Sequence, residues 1–300
     1  MMKQISKPKS KVVRRNRLIA YTFLLPNILG FLIFILIPVI ASFVMSFTTW
    51  NGFGKIEFIG LENYKNLFFD ENFRISFINS ILFTVISVPI TLFLSVLIAI
   101  ALNKGIRFVK VFRTAVFLPY VTATIAVAAV WQLIFNPSMG PINGFLMTLG
   151  IDNPPGWLSS PSWALVSVSI VYIWHSIGYY MILFLAGLQG IPNYLYEAAD
   201  LDGAGAVSKF FNVTLPMLSP IVFFTTIIGV INSFKVFDLI YILTNGGPGR
   251  STHVLVYDIY NTAFKQFEYG YASSMAYVLF MLILLFAFFQ FKGQKKWGNE

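Results

Sequence analysis

Long apolar runs, each about as long as a bilayer is thick, dominate the chain. Six stretches without a charged side chain stand at residues 18–47, 75–102, 114–135, 163–188, 210–234 and 271–291, and the fifth is expected to run on to residue 243. A helix that crosses hydrocarbon needs about 20 mostly apolar residues. With no water to satisfy the backbone there, a spanning segment is a helix or part of a closed barrel. A barrel strand alternates apolar and polar positions, and these stretches do not. The pattern predicts an all-α integral membrane protein with six transmembrane helices. Pro26, Pro38, Pro89 and Pro119 fall inside the runs, where each removes a backbone donor and can kink its helix. We read them as setting helix shape rather than as hinges.

Composition agrees with this picture. Of the 300 residues, 57% are hydrophobic and 11% charged, against about 25% charged in a soluble domain. The apolar run near the start is far longer than the roughly 7–15 residues of a signal-peptide core, so a retained first helix is expected. The net charge of +9 is unevenly placed. Lys3, Lys7, Lys9, Lys11, Arg14, Arg15 and Arg17 precede the first run, Lys104, Arg107, Lys110 and Arg113 separate the second and third, and Lys292, Lys295 and Lys296 follow the last. Basic residues mark cytoplasmic loops, so both termini are expected in the cytoplasm of a multi-pass plasma-membrane protein surrounded by lipid. The same rule accounts for the basic tail without nucleic acid. The expected division is a basic, mobile tail at 1–17, a six-helix domain at 18–291 and a second tail at 292–300.

Several chemistries drop out. Cysteine is absent, which removes disulfides, thiolate metal sites and a cysteine nucleophile. His175 and His253 are far apart in sequence and form no ligand motif. No phosphate-binding Gly-x-x-x-x-Gly-Lys-Ser/Thr sequence is present. No catalytic residue, metal or cofactor is expected.

The loops carry local signals. Residues 48–74 leave room for a short surface helix near 61–69. The loop at 136–161 is dense in turn dipeptides, including Asn136-Pro137 and Gly140-Pro141. Asn245-Gly246-Gly247-Pro248-Gly249 is a strong turn.

The segment at 190–216 is polar, yet it lies between two long apolar runs. Pro192 suits the first turn of a helix. Helical spacing then puts Tyr196, Ala199 and Gly203 on one face and Glu197 and Asp200 on another. Gly203 and Gly205 can supply a left-handed turn. Glu197, Asp200 and Asp202 stand against Lys209 alone, an acidic patch suited to a basic groove. Glu197, Ala198, Ala199, Gly203, Leu215 and Pro216 match, with Val213 in place of Ile, the pattern Glu-Ala-Ala, three residues, Gly, nine residues, Ile, one residue, Leu-Pro. The segment thereby resembles the coupling loop of permease subunits of bacterial ABC importers. The resemblance implies a non-catalytic permease whose residues 197–200, 203, 215 and 216 dock on a separate ATPase. It further implies two ATPase subunits, a second permease subunit and an external solute-binding protein.

A second resemblance lies in Leu243-Thr244-Asn245-Gly246-Gly247-Pro248 and in Tyr257-Asp258-Ile259-Tyr260-Asn261-Thr262-Ala263-Phe264. Both are similar to the maltose, glycerol-3-phosphate and oligosaccharide branch in its first-subunit form, which implies a sugar or oligosaccharide cargo. Register against that branch implies substrate contacts at His175, Ser176 and Tyr179 on the fourth helix, and at Gly229, Asn232, Ser233 and Val236 on the fifth. Lys235 and Asp238, three residues apart, are expected to form an ion pair facing the bundle. The rival is a self-contained secondary transporter or channel, which needs intramembrane coupling carboxylates or inverted repeats. Asp238 is the only clear carboxylate of that kind.

Overall fold

The computed structural model describes residues 10–104 and 107–297. Among the described residues, five helices are long and apolar enough to cross a membrane: Val13–Met45, Glu71–Asn103, Pro161–Gln189, Ala206–Phe234 and Tyr269–Gly293. The remaining apolar stretch is a helix pair, Val109–Val121 and Thr124–Ile134, bent by 98° at its junction, so the count is six if the pair makes one span. We refer to these in chain order as the first to sixth segments, the bent pair being the third.

Three expectations are corrected. Residues 10–17 are already helical, so they extend the first segment instead of forming a mobile tail. No Gly or Pro interrupts the sequence between Ser10 and Pro26, and Lys and Arg are good helix formers. Lys3, Lys7 and Lys9 lie outside the described residues. The third segment is two helices, not one kinked helix. Pro119 deprives its last turn of a donor, Thr122 and Ala123 are extended, and the Thr122 hydroxyl bonds the Leu118 carbonyl at 2.9 Å. The fifth segment stops at Phe234 instead of reaching residue 243. Its end tightens through Val236 N–H to Ser233 carbonyl at 3.3 Å, and a separate helix follows at Asp238–Leu243.

Two π turns, Leu32–Leu36 and Phe210–Thr214, lie in the first segment and at the start of the fifth. Each contains the residue four before a proline, Phe34 before Pro38 and Asn212 before Pro216. A proline ring clashes with the carbonyl four residues back and leaves it unbonded, and a wider turn relieves both problems. Pro216 belongs to the Leu-Pro pair of the sequence motif.

The second segment is the axis of the bundle. Ser76, Ser80, Thr84, Ser87, Thr91 and Ser95 are all buried, at spacings of three and four that put them on one face. The hydroxyls stitch neighbouring elements together. Ser76 donates to Asp258 at 3.0 Å, Ser80 accepts from Leu255 N–H at 2.8 Å, Thr84 accepts from Ser233 at 2.9 Å, and Ser95 donates to the Ile177 carbonyl at 3.0 Å. Asp70 caps this helix, accepting from Asn72 N–H at 2.8 Å.

Apolar packing gathers in two principal cores. One surrounds Phe83, Val171, Tyr172 and Ile240; the other surrounds Ala99, Met181, Phe184 and Leu218. The first core lies toward the end that carries the long loops, here the loop end, and the second toward residues 190–209, the tail end. At the loop end Thr48–Thr49 pairs antiparallel with Glu57–Phe58, Thr48 opposite Phe58. The hairpin leads into the surface helix Glu62–Phe69, near the expected position. Helices Pro141–Thr148 and Leu255–Phe264 complete that end. The first segment stands apart: its most apolar 18-residue window is 0% buried. It is attached near the loop end, where the Phe43 and Tyr277 rings lie 4.9 Å apart and the Ser46 and Tyr64 hydroxyls 2.7 Å apart.

Candidate functional site

At the tail end, Gly190 caps the fourth segment and Pro192, in extended backbone, leads into the helix Asn193–Leu201. Pro192 therefore precedes the helix rather than sitting in its first turn. The helix closes with Ala204 N–H to Ala199 carbonyl at 2.9 Å and Gly203 N–H to Asp200 carbonyl at 3.0 Å, the paired bonds of a Schellman end. That end needs a left-handed residue, and Gly203 supplies it with φ +73°. Gly205 does not share this role. Its φ of −69° is ordinary, and it precedes the short helix Ala206–Lys209 that runs through the π turn into the fifth segment.

Tyr196 and Ala199 are half-buried and turn inward, and the Tyr196 hydroxyl lies 3.0 Å from that of buried Thr214. Glu197 and Asp200 are exposed. Asp200 is held at 2.6 Å by Lys209, so the acidic patch is smaller than the sequence suggested. The sequence reading missed an apolar stripe on this helix. Tyr194, Ala198 and Leu201, spaced four and three apart, are exposed, Leu201 at 90%, and exposed Val207 lies just beyond. Leu215 and Pro216 open the regular part of the fifth segment.

A second group forms beside the break in the third segment. Tyr120 stacks on Tyr179 at 4.8 Å with 20° between the rings, and His175 lies 5.9 Å from Tyr120. Gly178 makes this approach feasible: a Cβ there would strike the Val116 carbonyl oxygen and lie 2.7 Å from Phe117 Cα. The His175 ring lies beside the break, and its Nε2 is buried without a hydrogen-bond partner among the described residues. Tyr179 meets Tyr180 edge-on at 5.1 Å, and Asn232, on the fifth segment that Tyr180 faces at Gly229, is exposed.

The seven sequence-predicted residues thus divide. His175, Tyr179 and Asn232 gather around Tyr120 and Tyr180. Ser176 is buried within reach of the Tyr172 hydroxyl. Gly229 lies under Val88 and the Tyr180 hydroxyl, Ser233 bonds Thr84 and the Val230 carbonyl, and Val236 is in the loop-end core. Tyr120 was not anticipated; a tyrosine next to a proline inside an apolar run was the available signal. Lys235 and Asp238 do not pair with each other, because the helix ends between them and the three-residue spacing no longer aligns them. Lys235 is exposed where the fifth segment ends, and Asp238 opens the next helix.

Residues 91–293 match the family described as binding-protein-dependent transport system inner membrane component. The chain is 37% identical over 293 residues to the probable ABC transporter permease protein YesP of Bacillus subtilis, covering 96% of this chain and 94% of that one. It is 35% identical to the lactose transport system permease protein LacF of Rhizobium radiobacter, covering 96% and 98%. It is also similar to a chain in the crystal structure of a bacterial ABC transporter involved in import of the acidic polysaccharide alginate. That likeness has a TM-score of 0.84 and 26% identity, over 95% of this chain and 98% of that one.

Proposed function

The chain belongs to the family of binding-protein-dependent transport system inner membrane components, and from that premise we propose that it is the permease subunit of an ATP-driven importer of a sugar or oligosaccharide. Family membership sets aside the self-contained transporter. The observation that carries the mechanism is the hairpin at residues 193–209, a short helix fixed to the bundle by Tyr196 and Thr214 that presents Tyr194, Leu201 and Val207 to solvent. Exposed apolar side chains on a rigid helix suit docking in a groove of a partner. ATP is hydrolysed by that partner, one of two ATPase subunits, and its closure moves the hairpin as a lever that switches the bundle between access states. Ala198 is part of the stripe, and Glu197, Asp202 and Gly203 border it.

Orientation follows from charge. Lys104, Arg107, Lys110 and Arg113 lie at the tail end, which puts that end and both termini in the cytoplasm. An external binding protein then delivers cargo to the loop end. Cargo passes the group formed by Tyr120, His175, Tyr179 and Asn232 at the interface with the second permease subunit. Ring faces stack on sugar C–H surfaces, while hydroxyl, imidazole and amide groups bond its hydroxyls. Ser176, Gly229, Ser233 and Val236 shape the wall behind.

The test is the purified assembly of this chain with its second permease and ATPases. Leu201→Glu puts a charge in the apolar stripe and Glu197→Lys inverts one beside it. Both are expected to leave the chain inserted and to abolish stimulation of ATP hydrolysis by the loaded binding protein. Stimulation at the parent level in both variants refutes the docking role.

A further inference from the structure

A cavity among the described residues lies at the loop end, away from the aromatic group in the bundle, and the function proposed above does not use it. It measures about 630 Å³, within the roughly 300–1,000 Å³ usual for small-molecule sites. The two-strand hairpin, the helix Glu62–Phe69 and the start of the sixth segment form its walls. These pieces are locked together. Asn63, 95% buried, donates to the carbonyls of Ser46 and Thr48, both at 2.9 Å. The Trp50 carbonyl accepts from Tyr269 N–H at 3.0 Å, and Gly270 packs directly on the Thr48 carbonyl. Asp70 caps the second segment with one carboxylate oxygen and accepts from the Tyr271 hydroxyl at 2.8 Å with the other. The cavity is therefore built before any ligand arrives.

Its lining chemistry is specific. Trp50 and Tyr271 supply aromatic surface, and Asn51, Asn66, Glu62 and Glu268 supply planar amide and carboxylate groups. The side chains of Glu62, Asn66 and Glu268 and the Trp50 indole N–H make no hydrogen bond to another described residue, so their capacity is unspent. Three candidate ligand classes can be compared. A metal ion needs several oxygens converging on one point, and no group of three His, Cys, Asp or Glu side chains among the described residues is arranged to hold one. An anion needs a basic side chain, and the lining contains no Lys, Arg or His. A neutral saccharide needs separated hydrogen-bonding groups around a concave surface together with aromatic faces for its C–H patches, and the lining offers both.

We propose that this cavity is a saccharide-binding site for a neutral sugar, separate from the site within the bundle. The proposal rests on the sugar-import reading, which puts the loop end outside. It sharpens that reading too: a receiving site without a basic residue suits a neutral cargo, unlike the acidic polysaccharide named for the alginate importer.

The absence of cysteine from the chain makes a direct test available. Ile59→Cys puts one thiol in the cavity lining at a residue that supplies none of the polar groups, and Lys55→Cys puts one on the exposed hairpin, away from the lining. Maleimide labelling rates are measured on the assembled importer in nanodiscs, without binding protein. The probes are lactose, maltotriose, raffinose and arabinotriose, an acidic trimannuronate, and spermidine as a cation. At ten times its Kd a bound sugar leaves about one cavity in eleven empty, so labelling at position 59 is expected to slow about tenfold. That result is expected for at least one neutral sugar, with no change at position 55 and no protection by trimannuronate. Adding Glu268→Gln to the Ile59→Cys chain should weaken the protection. Lack of protection by all four neutral sugars, equal protection by trimannuronate, or protection by spermidine alone overturns the proposal. ATP hydrolysis stimulated by loaded binding protein is measured on the same preparations. If stimulation persists without protection, the cavity proposal fails alone; if stimulation is absent from the cysteine-free parent, the importer reading fails.

Discussion

Replacing Gly178 by alanine should damage this protein out of proportion to one methyl group. The added Cβ would strike the Val116 carbonyl oxygen and sit 2.7 Å from Phe117 Cα, where carbon atoms normally rest about 3.5–4.0 Å apart. Both opposing groups are backbone, so no side chain can rotate away. Relief requires the third segment to back off by about 1 Å, and overpacking of this kind costs about 1–3 kcal/mol. Tyr120 lies three residues beyond Phe117, and its 4.8 Å stack on Tyr179 should open with the shift. Two other glycines provide controls. A Cβ at Gly187 would also collide, but with Ile221 Cδ1 and Leu218 Cδ2, flexible ends that can change rotamer. A Cβ at Gly144, within the helix Pro141–Thr148, meets nothing within 4 Å, and alanine there should gain up to about 1 kcal/mol in helix propensity. Thermal unfolding of the solubilised assembly, followed by fluorescence-detected size exclusion, should rank Gly144→Ala at or above the parent, then Gly187→Ala, then Gly178→Ala. The reasoning is refuted if Gly178→Ala melts with the parent, or if Gly187→Ala falls further.

Burial among apolar neighbours, with a smaller push from Asp70, raises the Asp258 carboxyl from 3.8 to about 6, against the opposing Ser76 hydrogen bond. Its protonated form stabilises the fold fully below pH 3.8, and this contribution is lost as pH rises through about 6. Asp258→Asn should therefore stabilise the fold at pH 7.5 by at most about 3 kcal/mol, at 1.36 kcal/mol per pH unit, raising the melting temperature there and flattening the melting profile between pH 4 and 6; an unchanged profile contradicts the assignment. Gly203→Ala puts a side chain at φ +73°, where left-handed backbone costs about 1–2 kcal/mol, and should reduce co-purification of the ATPase subunits; parent-level recovery argues against the turn's role. For topology, Lys55→Cys should react with an impermeant maleimide in intact cells and Val207→Cys only after lysis, and the reverse pattern inverts the proposed orientation.

The parts of this molecule visible in its sequence are those governed by local chemistry. Apolar length located the membrane helices because hydrocarbon demands it of each segment separately. Gly203 was readable because a helix end four residues beyond Ala199 requires a left-handed residue. Gly205 has the same side chain but no such requirement, and composition cannot separate the two. The Asp200–Lys209 pair closes across nine residues only once the hairpin folds, so counting charges overstated the acidic patch. Register within the fourth and fifth segments gave positions along each helix but not their rotation. Ser233 consequently faces Thr84, while Tyr120 reaches the group from a third segment that local pattern does not connect with it. The break at Thr122 falls three residues after the proline that weakens the helix, among residues ordinary in any apolar run. The buried hydroxyl face of the second segment is periodic in the sequence, yet a search for uncharged length averages it away.

The first segment has a consequence for how mutations should be scored. It is joined to the rest near its loop end, while its most apolar window contributes nothing buried. Inside a bilayer its backbone bonds are satisfied by the helix alone, so it can persist as helix after the core has melted. It should behave as an arm with its own local equilibrium, thermodynamically separate from the bundle of the second to sixth segments. Substitutions along its exposed side, such as Phe23 or Phe34, should be silent in the melting of the solitary chain. Their cost should emerge only when a neighbouring subunit covers that side, as a term that depends on the concentration of assembled complex.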